Sequence, residues 1–325
     1  MSTILTLTSD LELEKEFLRN VKRREIEQKF IYLGDNANKY YNSTPTSQIA
    51  TTDYWKNRLT QEQMVDFIIS LIPQKNNKIA FVSLGCGQAT IEAMLMKKVK
   101  DHTQYKFFGI DSSKEMLDAA EEKFIQADIN GSFFCADFSA AEFHFELKKR
   151  LETEKFDQVI FLLIGSTLGN VSQTEIVDTL YNLLEKDDII CLDIMTRPTL
   201  DKKDDLMIFN AYSQMLKNES RMECLSDAVY RLGIPRDDTK IVLKAELEGS
   251  IGVLCFQYSV EILSPTVISY RGERIHLLPP EQIKFLEIRT YHIPTMISYF
   301  KMHDLELFNQ QVSGHHGQFA FVKTD

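Results

Sequence analysis

Gly85 and Gly87, in LGCGQAT (Leu84–Thr90), stand where a short apolar run gives way to a helical pattern opened by Thr90. Glycines there let the backbone turn sharply and come close to a ligand, with the first helix amides aimed at it. A nicotinamide-cofactor fingerprint wants a third glycine at position 90; Thr90 stands there instead, which disfavours a dehydrogenase. Asp111 closes the next apolar run, where an acidic residue grips ribose hydroxyls in such folds; its other use is to cap the helix after Ser112 and Ser113. Asp137 closes a third run and precedes Phe138: a carboxylate to accept from an adenine amino group beside an aromatic wall, or again a cap. A fourth run leads into IGSTLGN (Ile164–Asn170), a turn with two flexible points. Its side chains can bind a polar ligand or, through Asn170, cap the next helix.

These residues need a scaffold that brings strand ends into register. IAFVSL (Ile79–Leu84), KFFGID (Lys106–Asp111), SFFCAD (Ser132–Asp137), DQVIFLLI (Asp157–Ile164) and DIICLD (Asp188–Asp193) read as five buried strands. Helical patterns such as Ser113–Phe124 and Thr174–Leu184 lie between them. Regular strand–helix alternation implies right-handed crossovers and a doubly wound, Rossmann-like sheet. Such sheets bind ligands at the carboxyl ends of their strands, where these polar groups converge.

After Asp193 the rhythm changes. Leu206–Leu232 reads as helix, and Lys240–Ile293 shows strand-like alternation without crossover helices, hence antiparallel pairing. PTMISYFKMHDL (Pro294–Leu305) reads as a helix opened by proline. ELFNQQV and GQFAFVK, joined by SGHH, read as a hairpin that closes the first sheet. The expected division is a core of residues 60–197 and 284–325, with 1–59 and 198–283 forming a second α+β lobe. His315–His316, in a glycine-flanked turn, reads as solvent-exposed, not as a metal site.

A formal charge of −10 and the lack of a long Lys/Arg run argue against a nucleic-acid binder. Five scattered cysteines with no C-x-x-C pair suggest neither a zinc site nor a disulfide framework. No basic leader and no apolar run of membrane-spanning length is visible, so a soluble, cytoplasmic protein is expected.

Through most of Lys78–Asp193 and the closing helix and hairpin, the arrangement resembles the class I S-adenosylmethionine-dependent methyltransferases. IGSTLGN further resembles the signature of the histidine-specific N-alpha-methyltransferase family of ergothioneine biosynthesis. KFIYLGDNANKYY (Lys29–Tyr41) and TDYW (Thr52–Trp55) are similar to the family's aromatic segment over the amino-acid pocket, and FNAYSQM (Phe209–Met215) resembles a segment of its second lobe. The resemblance implies S-adenosylmethionine as cofactor, held at Gly85, Gly87, Thr90, Asp111, Asp137 and Phe138. It implies that Gly165, Asn170, Tyr54 and Tyr212 hold the backbone of an amino-acid substrate, with Tyr32 and Tyr40 as an aromatic wall. It also implies a small-molecule acceptor, with no metal.

One departure concerns the acceptor's side chain. The family reads imidazole with Glu and Ser two residues apart on a late strand; FLEIRTY (Phe285–Tyr291) offers Glu287 and Arg289, and another register offers Tyr291 and Ile293. Glu287 and Arg289 would share one strand face, and either select the acceptor or satisfy each other. The expected reaction is therefore N-methylation of a small amino acid or related amine other than plain histidine. A hydroxyl or peptide acceptor, or a non-catalytic cofactor-binding subunit, are the rival readings.

Overall fold

Short apolar runs rich in branched and aromatic residues bury both faces, and this makes them central strands. In the computed structural model, which describes residues 4–33, 54–55, 57–73, 78–100, 103–171, 173–248 and 252–324, all five expected strands form. An additional strand, β1 (Ile4–Thr6), precedes β2 (Lys78–Leu84), β3 (Gln104–Asp111), β4 (Ser132–Cys135), β5 (Gln158–Leu163) and β6 (Ile189–Arg197). They lie parallel in the order β1-β4-β3-β2-β5-β6, so the winding reverses beside β2. That reversal opens the crevice in which doubly wound sheets take ligands. The expectation kept the N-terminal segment wholly in the second lobe. Its first strand instead extends the core sheet, with Ile4 opposite Phe133.

Helices cover both faces. α1 (Asp10–Lys22) starts at a capping box of Ser9 and Glu12, and α2 (Gln61–Ser70) at one of Thr60 and Gln63. α3 (Thr90–Val99), α4 (Lys114–Gln126), α5 (Ala141–Glu154) and α6 (Gln173–Leu183) follow the successive core strands. Alternate strand residues serve opposite cores: Ile79 and Phe81 pack with Leu95 and Phe124, whereas Val82 and Leu84 pack with Phe143 and Leu180.

The single long helix expected over Leu206–Leu232 is two, α7 (Lys202–Ser213) and α8 (Glu219–Tyr230). The break falls at Asn218, whose side chain accepts from the Arg221 amide and caps the second helix. Arg197, buried at the end of β6, grips Asp205 through two 2.6 Å bonds and so fixes α7 to the core sheet.

β7 (Thr239–Glu248), β8 (Val253–Ile262) and β11 (Gln282–His292) pair antiparallel, and β9 (Thr266–Tyr270) and β10 (Glu273–Leu277) form a separate hairpin. β11 also runs beside the end of β6, with Tyr291 opposite Thr196, which joins the two sheets edge to edge. α9 (Ile293–Lys301), with proline in its first turn, leads to the closing hairpin of β12 (Leu305–Ser313) and β13 (His316–Lys323). β13 lies antiparallel against β6, Phe319 opposite Leu192. Among the described residues no helix is long and apolar enough to cross a membrane.

Candidate active site

The turn after β2 takes left-handed backbone at Gly85 (φ +70°), Gly87 (+52°) and Ala89 (+49°). Glycine removes the steric cost at the first two. The Asp111 carboxylate closes this turn, accepting from the Gly87 amide at 2.8 Å and the Ser113 amide at 2.9 Å. Burial outweighs those amide bonds and pushes its carboxyl above the ordinary range. Backbone amides at Gly87, Ser113 and Ser112 favour its charge, and the carboxylate has lone pairs left that could meet hydroxyl groups of a bound ribose. A Cβ on Gly85 would lie 3.0 Å from Thr167 and 3.8 Å from Phe138, so the glycine turn, the Phe138 ring and the IGSTLGN loop meet at one point.

Asp137 has company. Lys29, from a 3-10 turn at Gln28–Tyr32, reaches its Oδ2 at 2.5 Å, and Ser139 donates from its amide (2.9 Å) and hydroxyl (2.6 Å) to Oδ1. Burial opposes the charge, but Lys29 and Ser139 prevail and hold the carboxyl below its usual value. Glu16 and Glu27 also approach the Lys29 ammonium, at 2.6 and 3.0 Å. Thr90 is not brought to this cluster. It is exposed at the start of α3, and its hydroxyl accepts from Lys123 at 2.7 Å.

The IGSTLGN loop leaves β5 through two consecutive left-handed residues, Gly165 (φ +76°) and Ser166 (+64°). Both amides donate to Asp193 Oδ2, at 2.8 and 3.3 Å, and open space lies where a Gly165 side chain would be. The 3-10 turn Thr167–Asn170 then packs on β11: the Tyr291 hydroxyl donates to the Leu168 carbonyl at 2.9 Å, and Arg289 donates to the Val171 carbonyl at 3.0 Å. Glu287 and Arg289 thus flank this loop, and they meet each other at 3.1 Å. Arg289 is 5% exposed and also forms a fork onto Glu248 with two 2.9 Å bonds. Glu287 takes further bonds from Cys255 Sγ (3.0 Å), Gln257 (3.3 Å) and Lys284 (3.0 Å). Both charges are therefore met inside the protein.

A separate aromatic group gathers Tyr54, Trp55, Tyr212 and His315. Tyr54 and Tyr212, rings 5.7 Å apart, both pack edge-on against Trp55, and His315 stacks on Tyr54 at 4.7 Å. The Tyr54 and Tyr212 hydroxyls and His315 Nδ1 are buried and make no well-aligned hydrogen bond among the described residues. The two hydroxyls lie close enough to influence each other's ionisation, and burial raises both, Tyr212 to about 12. Tyr32 packs against the wider hydrophobic cluster that contains Tyr54 and Tyr212, its hydroxyl accepting from Gln28 at 3.0 Å. Tyr40 lies outside the described residues.

A family model described as histidine-specific methyltransferase, SAM-dependent, matches residues 58–220, half of the chain. The chain belongs to this family. No curated protein matches the sequence. Among solved structures, the chain is similar to an S-adenosylmethionine-dependent methyltransferase from Clostridium acetobutylicum, with 16% identity and a TM-score of 0.46 over 89% of this chain and 99% of that one. It is also similar to the CcbJ methyltransferase from Streptomyces caelestis (12%, 0.43, 82% and 90%). A third is a Burkholderia thailandensis 1,6-didemethyltoxoflavin-N1-methyltransferase bound to its substrate and S-adenosylhomocysteine (8%, 0.44, 98% and 94%). This histidine-specific-type methyltransferase is an enzyme whose methyl donor is S-adenosylmethionine. The half-buried Asp111 carboxylate, the glycine turn and the Phe138 ring suit the nucleoside half of that cofactor.

Two residues of the methyltransferase escaped the sequence reading. His316, expected in an exposed turn, is 1% exposed, because β13 is flanked on both sides and its first residue lies beneath the loop at the sheet's carboxyl edge. Its Nε2 meets Asp193 Oδ1, and its Nδ1 accepts from the Leu59 amide at 3.2 Å. Asp193 is the last residue of a predicted strand, as Asp111 and Asp137 are of theirs; that position was its only signal.

Proposed function

We propose that this methyltransferase transfers a methyl group from S-adenosylmethionine to the amino group of a small amino acid or related amine, and that free histidine is a poor acceptor. The observation that supports the reading is the group of three buried polar atoms, Tyr54 Oη, Tyr212 Oη and His315 Nδ1, which make no well-aligned hydrogen bond among the described residues. Leaving such atoms without partners costs about 1–3 kcal/mol each, and a polar ligand would remove that cost. In this reading Tyr54, Tyr212, Asn170 and Gly165 hold the acceptor's amino-acid backbone, with Tyr32 and Tyr40 as its wall. Gly85, Gly87, Asp111, Asp137 and Phe138 hold the cofactor. The core would be residues 60–197 and 284–325 with β1 added, the remainder forming the substrate lobe, in a cytoplasmic protein.

The cofactor supplies a sulfonium-activated methyl group. The chain's residues align the amine with it and exclude water, and no covalent enzyme intermediate is needed. Aromatic faces beside the cationic centres contribute about 0.5–2 kcal/mol each. At the side-chain end, the Arg289 guanidinium fills the place where the family carries serine, and its charge is already met by Glu248 and Glu287. An imidazole would find neither the hydroxyl nor the space.

The test is mass spectrometry of a metabolite extract incubated with the enzyme and methyl-labelled cofactor. Label on the nitrogen of an amino acid or small amine is expected. Label on a hydroxyl or a peptide, or none despite cofactor binding, would overturn the reading.

A further inference from the structure

The two chain segments that face the acceptor are more than a hundred residues apart in sequence and share no backbone pairing. One side chain touches the support of both. His316 Nδ1 accepts from the amide of Leu59, five residues after Tyr54. Its Nε2 meets Asp193 Oδ1, while Asp193 Oδ2 receives the amides of Gly165 and Ser166. Because Nδ1 accepts a backbone N–H, the ring proton sits on Nε2, which lies in close contact with Asp193 Oδ1 without an aligned hydrogen bond among the described residues. Both His316 and Asp193 are 1% exposed, so no solvent competes for these contacts. The adjacent His315 continues the same device: its ring stacks on Tyr54, and its carbonyl accepts from Thr196 at 2.8 Å.

We infer that His316, with Asp193, is a positioning residue for the methyl acceptor: it sets the distance between the Tyr54 segment and the Gly165–Asn170 loop. This rests on the reading above that those two segments hold the acceptor. It assigns a function to the tip of the closing hairpin beyond completing the sheet. The cofactor turn hangs from Asp111, which shares no hydrogen bond with His316. The inference therefore separates the two halves of the site: loss of His316 should loosen the acceptor half and leave the cofactor half in place.

Three variants divide the contacts. His316→Ala removes both. His316→Asn keeps an acceptor near Nδ1 for Leu59, and His316→Gln keeps a donor near Nε2 for Asp193. Three readouts are taken on the full chain: S-adenosylhomocysteine affinity by calorimetry, amide exchange at Leu59, Gly165 and Ser166, and half-saturation of methyl transfer by a mixture of the proteinogenic amino acids. In the alanine variant we expect half-saturation to rise about tenfold, S-adenosylhomocysteine affinity to stay within about twofold, and all three amides to exchange faster. His316→Asn should restore protection at Leu59 only, and His316→Gln at Gly165 and Ser166 only, each recovering part of the acceptor affinity. Should the alanine variant fail to fold, the Asn and Gln variants carry the same test. Unchanged half-saturation, or equal losses of acceptor and cofactor affinity, would overturn the inference. A wild type that methylates no amino acid would sink the proposed function instead, and the exchange pattern alone would then decide whether His316 joins the two segments.

Discussion

Lys29 and Asp137, 108 residues apart in sequence, meet at 2.5 Å where the N-terminal segment crosses the end of the third core strand. The contact ties the N-terminal segment to the carboxyl end of that strand. Burial works against the Lys29 charge, but Asp137 and Glu27 outweigh it and raise its pKa; Asp137 is lowered. The depressed carboxylate contributes stability above its unfolded value near 3.8 that is lost as pH falls through the folded value. The raised lysine contributes stability below its unfolded value near 10.5 that is lost as pH rises past it. The pair should hold from about pH 4 to 10. Lys29→Met should cost roughly 1.5–3 kcal/mol at neutral pH and shrink the acid-side loss, because Asp137 then lacks the partner that depresses its pKa. A series of thermal midpoints against pH, read by circular dichroism, measures both.

Asp111→Ala should weaken S-adenosylhomocysteine binding by roughly 1.5–3 kcal/mol, tenfold or more. Because burial raises the carboxyl's pKa in the free enzyme, and ligand hydroxyls favour its charged form, affinity should decline as pH drops through that raised value. Asp111→Asn should abolish this slope. Calorimetry across the acid range checks it, and equal affinity in wild type and the alanine variant would return Asp111 to a capping role.

Tyr54→Phe and Tyr212→Phe remove buried hydroxyls that have no well-aligned partner among the described residues. Such changes should leave the thermal midpoint level or slightly higher. Acceptor use should nevertheless fall, as it should for Asn170→Ala, while adenosylmethionine affinity stays nearly intact. If all three variants lose cofactor affinity to the same degree, the pocket has been placed on the wrong side of the loop.

In the register that sets Arg289 against the family's serine, Arg289→Ser would restore that residue but strand Glu248, while Glu287 keeps Lys284. Breaking a buried pair costs about 3–5 kcal/mol, and roughly 2–4 is expected here because Glu248 is partly open to water. Adding Glu248→Gln should recover much of that loss. The double variant should then shift kcat/KM toward histidine relative to the native acceptor. Competition between the two acceptors, run on both proteins, gives the ratio. A wild type that already methylates histidine efficiently would remove these residues from any part in specificity.

Much of the site was legible because it is local. Gly85, Gly87 and Asp111 lie at the ends of strands whose unbroken apolar runs announce burial, and the turn chemistry sits within a few residues of each. Tyr54 and Tyr212 were reached through a family likeness, and the structure brings their rings within 5.7 Å. The three-residue strand Ile4–Thr6 was too short to carry a periodic signal, and it forms only because β4 offers an edge. No spacing announces that Lys29 finds Asp137, that Arg289 finds Glu248, or that His316 is buried against Asp193. Sequence determined the strands and the turns, since those depend on neighbours along the chain. Tertiary structure decided which charges are already met and which polar atoms still lack partners, since those depend on groups that only packing brings together.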